Sequence, residues 1–252
     1  FTSGTADNVY AQIGNGGLSA GGNHTGTLTI TATTGSIAFT AKDLALYTYV
    51  QVGNGGKGSY GGHSGDILAW ADRSGGTVNA TTTGANSSGI RLETYGGNGG
   101  IGGAAAFGGA GGTGGSGGFI SLGDELFNAT LNTSGDQSPG ALLHSVGGNG
   151  ARGANGSTGG NGGGGDSGGI LTVRGDYTIN TSGHESDGIA ALSFGGNSGA
   201  GGNGVFGRPG GSDQTRESAP VTLDIGGSIT TTGANSSGID AESASRYSCW
   251  VS

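Results

Sequence analysis

The sequence predicts an all-β fold, a right-handed three-sided parallel β-helix (β-solenoid) that carries Gly-rich polyglycine-II hairpins as a second layer. Residues 81–90, TTTGANSSGI, recur verbatim at 230–239. Gly-Asn steps open five Gly-rich tracts at intervals of 39, 44, 51 and 48 residues, a period typical of solenoids. Each period also holds three short runs of β-type residues bounded by turn signals.

The three runs of each period are predicted to be strands, because they are rich in β-branched and aromatic residues and lie between Gly, Asn and Ser turns. A turn rich in Gly, Asp and Ser is expected between the first and second strand of each period. The first strands are predicted at 28–30, 67–70, 119–122, 170–173 and 221–225, the second at 37–40, 78–82, 126–133, 177–181 and 229–232, and the third at 44–52, 90–95, 141–146, 189–194 and 239–243, with a further third strand at 9–13.

Stacking equivalent strands in parallel predicts columns of like residues along the protein. An inward column is expected at Ile90, Ala141, Ile189 and Ile239, a corner column at Thr82, Thr133, Thr181 and Thr231, and an outward ladder at Thr81, Asn132, Asn180 and Thr230. The outward positions of two third strands are also apolar, at Leu142, Val146, Ala190, Leu192 and Phe194. Because a solvent-facing side should alternate to polar residues, we expect the Gly tracts to cover this face.

The Gly tracts keep a frame of three residues. Residues 96–119 read GGN GGI GGA AAF GGA GGT GGS GGF, and residues 147–170 again form eight triplets. Three residues per turn is the period of the polyproline-II helix, and Gly is needed where such helices pack closely. We therefore expect out-and-back arms of about 12 residues, each about 35 Å long, in which the Gly pairs pack against neighbouring tracts. Asn98, Ile101, Phe107 and Thr113 should then point away from the contacts.

The domain prediction is one elongated repeat domain over residues 1–252 with about five repeats. The Gly-rich excursions are placed at 14–24, 53–65, 96–118, 147–169 and 195–217, and residues 244–252 form an atypical C-terminal segment. The single cysteine, Cys249, cannot form an internal disulfide, so the redox compartment stays open. The chain begins at Phe1 inside a repeat and shows no signal peptide, which indicates a mature or excised piece of a longer protein.

Composition and charge argue against several classes of partner. The net charge is −8, and only nine Lys and Arg are present, scattered along the chain, so no nucleic-acid partner is expected. No run of 18 apolar residues occurs, so a membrane-spanning segment is not expected either.

The motifs that suggest chemistry do not form a site in the sequence. Residues 165–169, GDSGG, match the nucleophile region of trypsin-like serine proteases, but a matching His motif and disulfides are missing and the match lies inside a triplet frame. Asp166 gives at most one imperfect match to a calcium-binding nonapeptide, and His24, His63, His144 and His184 lack ligand spacing and are expected at turns or on the surface. The basic residues do not cluster with Asp as in polysaccharide lyases. We predict no enzyme activity, no catalytic or metal-binding residues and no cofactor.

The aromatic residues are the remaining hint of binding. Tyr47, Tyr49, Tyr60, Trp70 and Phe107 could stack on sugars, although packing between repeat and Gly layer is the simpler role for most of them. Phe107 is expected near a hairpin tip, where it could also mediate self-association.

Several segments resemble known bacterial surface proteins. Residues 9–17 (VYAQIGNGG), 48–56 and 62–67 resemble repeats of filamentous-haemagglutinin-like large surface proteins. The units TxGANSxGI followed by SxGGNGG resemble passenger regions of very large bacterial autotransporters, which act as adhesins. This resemblance implies an exported, extracellular or cell-surface bacterial protein that acts in adhesion, biofilm or surface structure.

Three functions follow as hypotheses. The first is a structural or adhesive module of a surface protein or fibre, whose partners are copies of itself or a host or extracellular-matrix surface. The second is an ice-binding protein, because flat Thr ladders and polyglycine-II bundles both occur in that class. The third is a carbohydrate-binding or polysaccharide-degrading β-helix, which would have a glycan as its ligand.

Overall fold

The protein is described here from a computed structural model. The structure describes residues 77–103, 107–204 and 218–245, with side chains from residue 78 onward. For the strands at 10–17, 28–32, 36–40, 49–56 and 67–71 it describes the backbone. The strands are β1 (Tyr10–Gly17), β2 (Leu28–Ala32), β3 (Ser36–Thr40), β4 (Tyr49–Gly56), β5 (Ile67–Ala71), β6 (Thr77–Thr82), β7 (Ile90–Tyr95), β8 (Ile120–Leu122), β9 (Asn128–Thr133), β10 (Ala141–Val146), β11 (Leu171–Thr181), β12 (Ile189–Gly195), β13 (Val221–Thr231) and β14 (Ile239–Ser245).

The strands form two parallel sheets, to which successive repeats contribute in turn. One sheet has six strands in the order β1-β4-β7-β10-β12-β14. The other has eight strands, with the order β2-β5-β8-β11-β9-β6-β3 and β13 paired to β11. A described strand overlaps each predicted position, although residues 44–48 of the strand predicted at 44–52 lie outside the described residues. The prediction of parallel pairing between equivalent strands is confirmed.

The prediction of a three-sided β-helix is wrong, because the described strands form two sheets. In the fourth and fifth repeats the predicted first and second strands are one continuous strand, β11 and β13, of 11 residues each. Gly175 and Gly227 lie at these predicted turns with φ of 117° and 94°. Glycine adopts positive φ without strain, so the strand bends at these positions while its pairing continues.

The long strand β11 joins the two halves of the larger sheet. Its residues 171–173 pair with β8, and its residues 176–181 pair with β9. In the third repeat a longer connection, residues 123–127, separates β8 from β9, so the expected turn is present there. The larger sheet is therefore curled, and it bends where the sequence predicts the turn between the first and second strands.

The core lies between the two sheets. Leu122, Leu131, Leu143, Val173 and Ile179 are at most 1% exposed. Tyr177 is also fully buried, where its ring packs 5.6 Å from that of Phe127 and its hydroxyl donates to the Arg174 carbonyl at 3.1 Å. Burial of the phenol raises the pKa of Tyr177, so its hydroxyl stays a hydrogen-bond donor.

The predicted columns are found in register. Ile90, Ala141 and Ile189 pair in one inward column and are buried, whereas Ile239 at the end of this column is 44% exposed. Thr82, Thr133 and Thr181 are buried in the corner column, and the outward ladder of the second strands pairs as predicted.

The long Gly tracts are ordered, hydrogen-bonded hairpins. Among the described residues, every third N–H of the first tract donates to the following repeat, as in the bonds from Gly96 to Val146, Gly99 to Asn149 and Gly111 to Asn161, all at 2.8 Å. Within the first hairpin, Gly109, Gly112 and Gly115 donate to Gly103, Gly100 and Gly97. The second tract continues the pattern toward the outgoing arm of the third, through Gly147, Gly150, Gly153 and Gly156. We call these hydrogen-bonded arms (96–103, 108–118, 147–155, 158–169 and 195–204) the Gly bundle.

Residues at the third positions of the triplets point away from the Gly bundle, as predicted. Asn98, Ile101, Phe107 and Thr113 are exposed, with Ile101 at 79% and Phe107 at 75%. Some of the asparagines there form a ladder, because the N–H of Asn149 donates to Asn98 Oδ1 at 2.9 Å and that of Asn197 donates to Asn149 Oδ1 at 2.8 Å. Asn98 and Asn149, each after a pair of glycines, thus supply an acceptor for the backbone N–H of the equivalent asparagine in the next tract.

The bundle prolongs the two sheets in the same register. At the start of β7 the Ile90 N–H donates to the Gly140 carbonyl, 50 residues further along the chain. The bonds from Gly96 to Val146 and from Ile120 to Ile170 span the same 50 residues. The arms therefore run on from the strands, and the expectation that they fold over the outer face of the third strands is wrong. Neighbouring arms of the Gly bundle lie so close that their backbones bond each other directly. A Cβ at most of the glycines between them would overlap a backbone carbonyl, which is why glycine is needed there.

Candidate functional surfaces

The outer face of the second strands presents a regular array of short polar side chains. We call this array, on β6, β9, β11 and β13, the polar ladder. It has two columns, Asn79, Thr130, Thr178 and Ser228, and Thr81, Asn132, Asn180 and Thr230. Six of these residues are exposed, and Thr130 and Asn132 are half-buried. The Asn180 amide donates to Asn132 Oδ1 at 2.9 Å, so neighbouring repeats are also bonded through the ladder.

A groove of about 350 Å³ lies where the polar ladder meets the corner of each repeat. It is lined only by threonine, serine and asparagine, namely Thr81, Thr82, Thr83, Asn132, Thr133, Ser134, Asn180, Thr181, Ser182, Thr230 and Thr232. Hydroxyl and amide groups can exchange hydrogen bonds with water or with a neutral ligand. No residue in this lining titrates near neutral pH, so the groove has no group suited to acid or base catalysis.

The outer face of the six-stranded sheet holds a polar cluster around Glu93. Although Glu93 is only 3% exposed, its Oε1 accepts bonds from Arg91 Nη2 at 2.7 Å and from the Tyr95 hydroxyl at 3.0 Å. His144 of the next repeat lies with Nδ1 3.8 Å from Glu93 Oε1 and 3.2 Å from the Tyr95 hydroxyl. The His144 ring is 5.6 Å from that of Tyr95 and 5.8 Å from that of Phe194, edge-on to both.

The cluster keeps Glu93 ionised. Burial alone would raise the pKa of this carboxyl, but the polar contacts from His144, Arg91 and Tyr95 outweigh it and lower the pKa to about 2. Burial and the neighbouring Glu93 charge raise the pKa of Tyr95, which therefore remains a donor. The Arg91–Glu93 ion pair lies within β7, and the contacts of His144 with Tyr95 and Glu93 connect it to the next repeat.

Sequence reasoning missed this cluster. Arg91, Glu93 and Tyr95 alternate along β7, and the register places His144 beside Glu93. The sequence did contain a signal for it. The outward positions of β7 are all polar or aromatic, and the equivalent strand of the next repeat has His144 at the position that matches Glu93. His144 accordingly lies in a strand, whereas His184 lies in an exposed turn.

The GDSGG segment lies in the returning arm of the second Gly hairpin, where its triplet frame predicts it. The N–H of Asp166 donates to the Gly148 carbonyl, and the Ser167 carbonyl accepts from Gly117. The Asp166 side chain accepts from the N–H of Ser167 at 2.8 Å. These backbone atoms therefore serve the packing of the bundle.

Several other candidates fall outside the described side chains. His24, His63, Tyr47, Tyr60 and Cys249 lie outside the described residues, and only the backbone is described for Tyr49 and Trp70. In the part of the chain that is described, no group of three His, Cys, Asp or Glu side chains is arranged to hold a metal ion. The same residues include no helix with the length and apolar character needed to cross a membrane.

Comparison with protein-family models, curated proteins and solved structures found no match.

Proposed function

We propose that the protein is a non-enzymatic structural or adhesive module of an extracellular or cell-surface bacterial assembly, and that it associates with copies of itself. The observation that carries this proposal is the outer face of the last described repeat, which we call the open end. Among the described residues, β13 and β14 have a neighbouring strand on one side only. Strands with unpaired N–H and C=O groups are templates for pairing with another chain.

The side chains of the last repeat support association at this end. Leu171, Val173 and Ile189 are fully buried by the repeat that follows them. Their equivalents in the last repeat, Val221, Leu223 and Ile239, are only partly buried or exposed. A further layer would remove this apolar surface from water, which favours association.

The Gly bundle offers a second contact surface for the same function. Its exposed third positions include Ile101 and Phe107, two large apolar side chains on one hairpin. The sequence resemblance to repeats of bacterial adhesins supports an extracellular location. It also supports a host or matrix surface as a further partner.

A lysine at the open end should weaken self-association. We expect Ile239→Lys to raise the dissociation constant of the assembly about tenfold or more, because a buried unpaired ammonium is unfavourable in the contact. Thr178→Lys on the exposed polar ladder is the matched control and should leave association unchanged. Sedimentation velocity over a wide concentration range, with imaging of the particles, measures both. A wild-type protein that stays monomeric at every concentration would contradict the proposal.

The polar ladder favours ice binding as a second candidate function. Strands about 4.8 Å apart with side chains about 6.8 Å apart along each strand give a regular grid of hydroxyl and amide groups. Such a grid can order water.

Thermal hysteresis of the purified chain tests ice binding. We expect Thr178→Lys to lose most of the effect, because a long charged side chain interrupts the grid, while Ile239→Lys keeps it. Absence of hysteresis in the wild-type protein at high concentration would exclude this function. Ile239→Lys should therefore reduce only self-association, and Thr178→Lys should reduce only ice binding.

A further inference from the structure

The corners between the second and third strands carry one motif four times, Thr-x-Gly-x-x-Ser-x-Gly. It occurs at 82–89, 133–140, 181–188 and 231–238. The residue before the serine has positive φ in every corner, with values of 52° to 56° at Asn86, Gln137, Glu185 and Asn235. The four corners therefore have one conformation and stack directly on each other.

The serines of this motif form a buried ladder with a direction. The hydroxyl of Ser138 accepts from the N–H of Ser87 at 2.9 Å and donates to the Gly84 carbonyl at 3.0 Å. Ser186 repeats this with Ser138 and Gly135, and Ser236 repeats it with Ser186 and Gly183. Each corner thus needs a hydroxyl from the corner that follows it, and Ser87, Ser138 and Ser186 are fully buried as a result.

The two glycines of the motif allow the corners to approach. A Cβ at Gly135 would overlap the Gly84 carbonyl, and one at Gly183 would overlap the Gly135 carbonyl. A Cβ at Gly140 would overlap the Ile179 side chain of the next repeat. A side chain at any of these positions would separate adjacent corners and break the serine ladder.

The last corner repeats the sequence of one whose partner is known. Residues 81–90 and 230–239 are identical. In the stack, the first copy is completed by residues 134–140, which receive bonds from the N–H groups of Asn86, Ser87 and Ile90 and donate to the carbonyls of Thr82 and Gly84. No following corner stands against 230–239 among the described residues.

We infer that the open end formed by residues 230–239 is a binding surface for a polypeptide corner of the pattern Thr-x-Gly-x-x-Ser-x-Gly. This inference rests on the proposed function and names the chemistry of its partner. The partner supplies one serine hydroxyl to the N–H of Ser236 and the carbonyl of Gly233, as Ser138 does for Ser87 and Gly84. Its flanking segments pair in parallel with β13 and β14, and its glycines allow close contact.

A peptide of residues 128–146, which contains β9, its corner and β10, is the probe for this surface. We expect the labelled peptide to bind the whole protein in fluorescence anisotropy. The peptide with Ser138→Ala should bind about tenfold more weakly, because it leaves an N–H and a carbonyl without partners. The peptide with Ser134→Ala is the matched control, since this side chain is exposed and its backbone N–H makes the contact with Thr82. It should bind within about twofold of the parent peptide.

The protein variant Ile239→Lys locates the site and should abolish binding of all three peptides. The inference is overturned if no peptide binds, if Ser138→Ala binds as well as the parent, or if Ile239→Lys has no effect. If the protein self-associates in sedimentation but no peptide binds, the proposed function is retained. Only the inference that the corner forms the contact is then rejected. Suppression of self-association by excess parent peptide would show that both use the same surface.

Discussion

Gly163→Ala is expected to lower the free energy of unfolding by about 3 kcal/mol, because the added methyl group has no space inside the Gly bundle. A Cβ at Gly163 would overlap the carbonyl of Gly112, a backbone atom that cannot rotate away. Gly163 also donates to Ala151 at 2.8 Å, so displacing it would weaken a second contact. Urea denaturation followed by circular dichroism measures the effect.

Gly103→Ala is the matched control for that substitution. Gly103 belongs to the same bundle, but it is exposed and a Cβ there would have no atom within 4 Å. Removing a glycine from the unfolded chain should make this variant equal to wild type or more stable by about 0.5 kcal/mol. The same chemical change is therefore expected to have opposite signs at two positions, and equal effects would contradict the close packing of the arms.

Acidification should reveal the contribution of Glu93. Its pKa of about 2 is below the ordinary value of a glutamate, so its ionised form stabilises the fold above the unfolded pKa, and this stability is lost as the pH falls through the folded pKa. Between about pH 5 and pH 2 the loss should be on the order of 3 kcal/mol.

Glu93→Gln isolates this contribution, because the amide does not titrate. At neutral pH the variant should be less stable than wild type, and the difference should shrink as the pH falls toward about 2. Glu125→Gln, at an exposed carboxylate, serves as the control for general acid effects. If the difference in unfolding free energy between Glu93→Gln and wild type does not change with pH, the Glu93 ion pair is not the source of the acid-dependent stability.

Repetition explains why so much of the fold could be predicted. A column such as Thr82, Thr133 and Thr181 is visible in the sequence because equivalent residues recur at nearly constant spacing, and parallel stacking converts this spacing into contact. The triplet frame likewise predicts which residues of the Gly tracts face outward, because a Cβ at most of the glycines between neighbouring arms would overlap a backbone carbonyl.

The division into sheets could not be predicted from the same signals. Gly175 and Gly227 signal a turn in the sequence, but a single positive-φ glycine can bend a strand without ending it. Whether pairing continues through the bend depends on the partner strand, which a local pattern does not specify. The number of sheets therefore follows from the pairing of β11 with β13 along their whole length.

The Glu93 cluster was hidden for a related reason. Its members are ordinary when considered singly, and they meet only because residue 93 lies opposite residue 144. The corner serines were visible as a repeated motif, whereas their ladder could be recognised only when the direction of the bonds from Ser87 to Ser138 was known.

The period-three bonding of the Gly bundle restricts how the protein can change in length. Each arm is held to its neighbours at every third residue, so an insertion of one or two residues would rotate the rest of the arm out of contact with all of them. An insertion of three residues in one arm must be matched by three in the returning arm, because the two arms of a hairpin also bond each other. Hairpins of this kind can therefore lengthen or shorten by six residues at a time, and a neighbour of different length would leave only its outermost triplets unpaired.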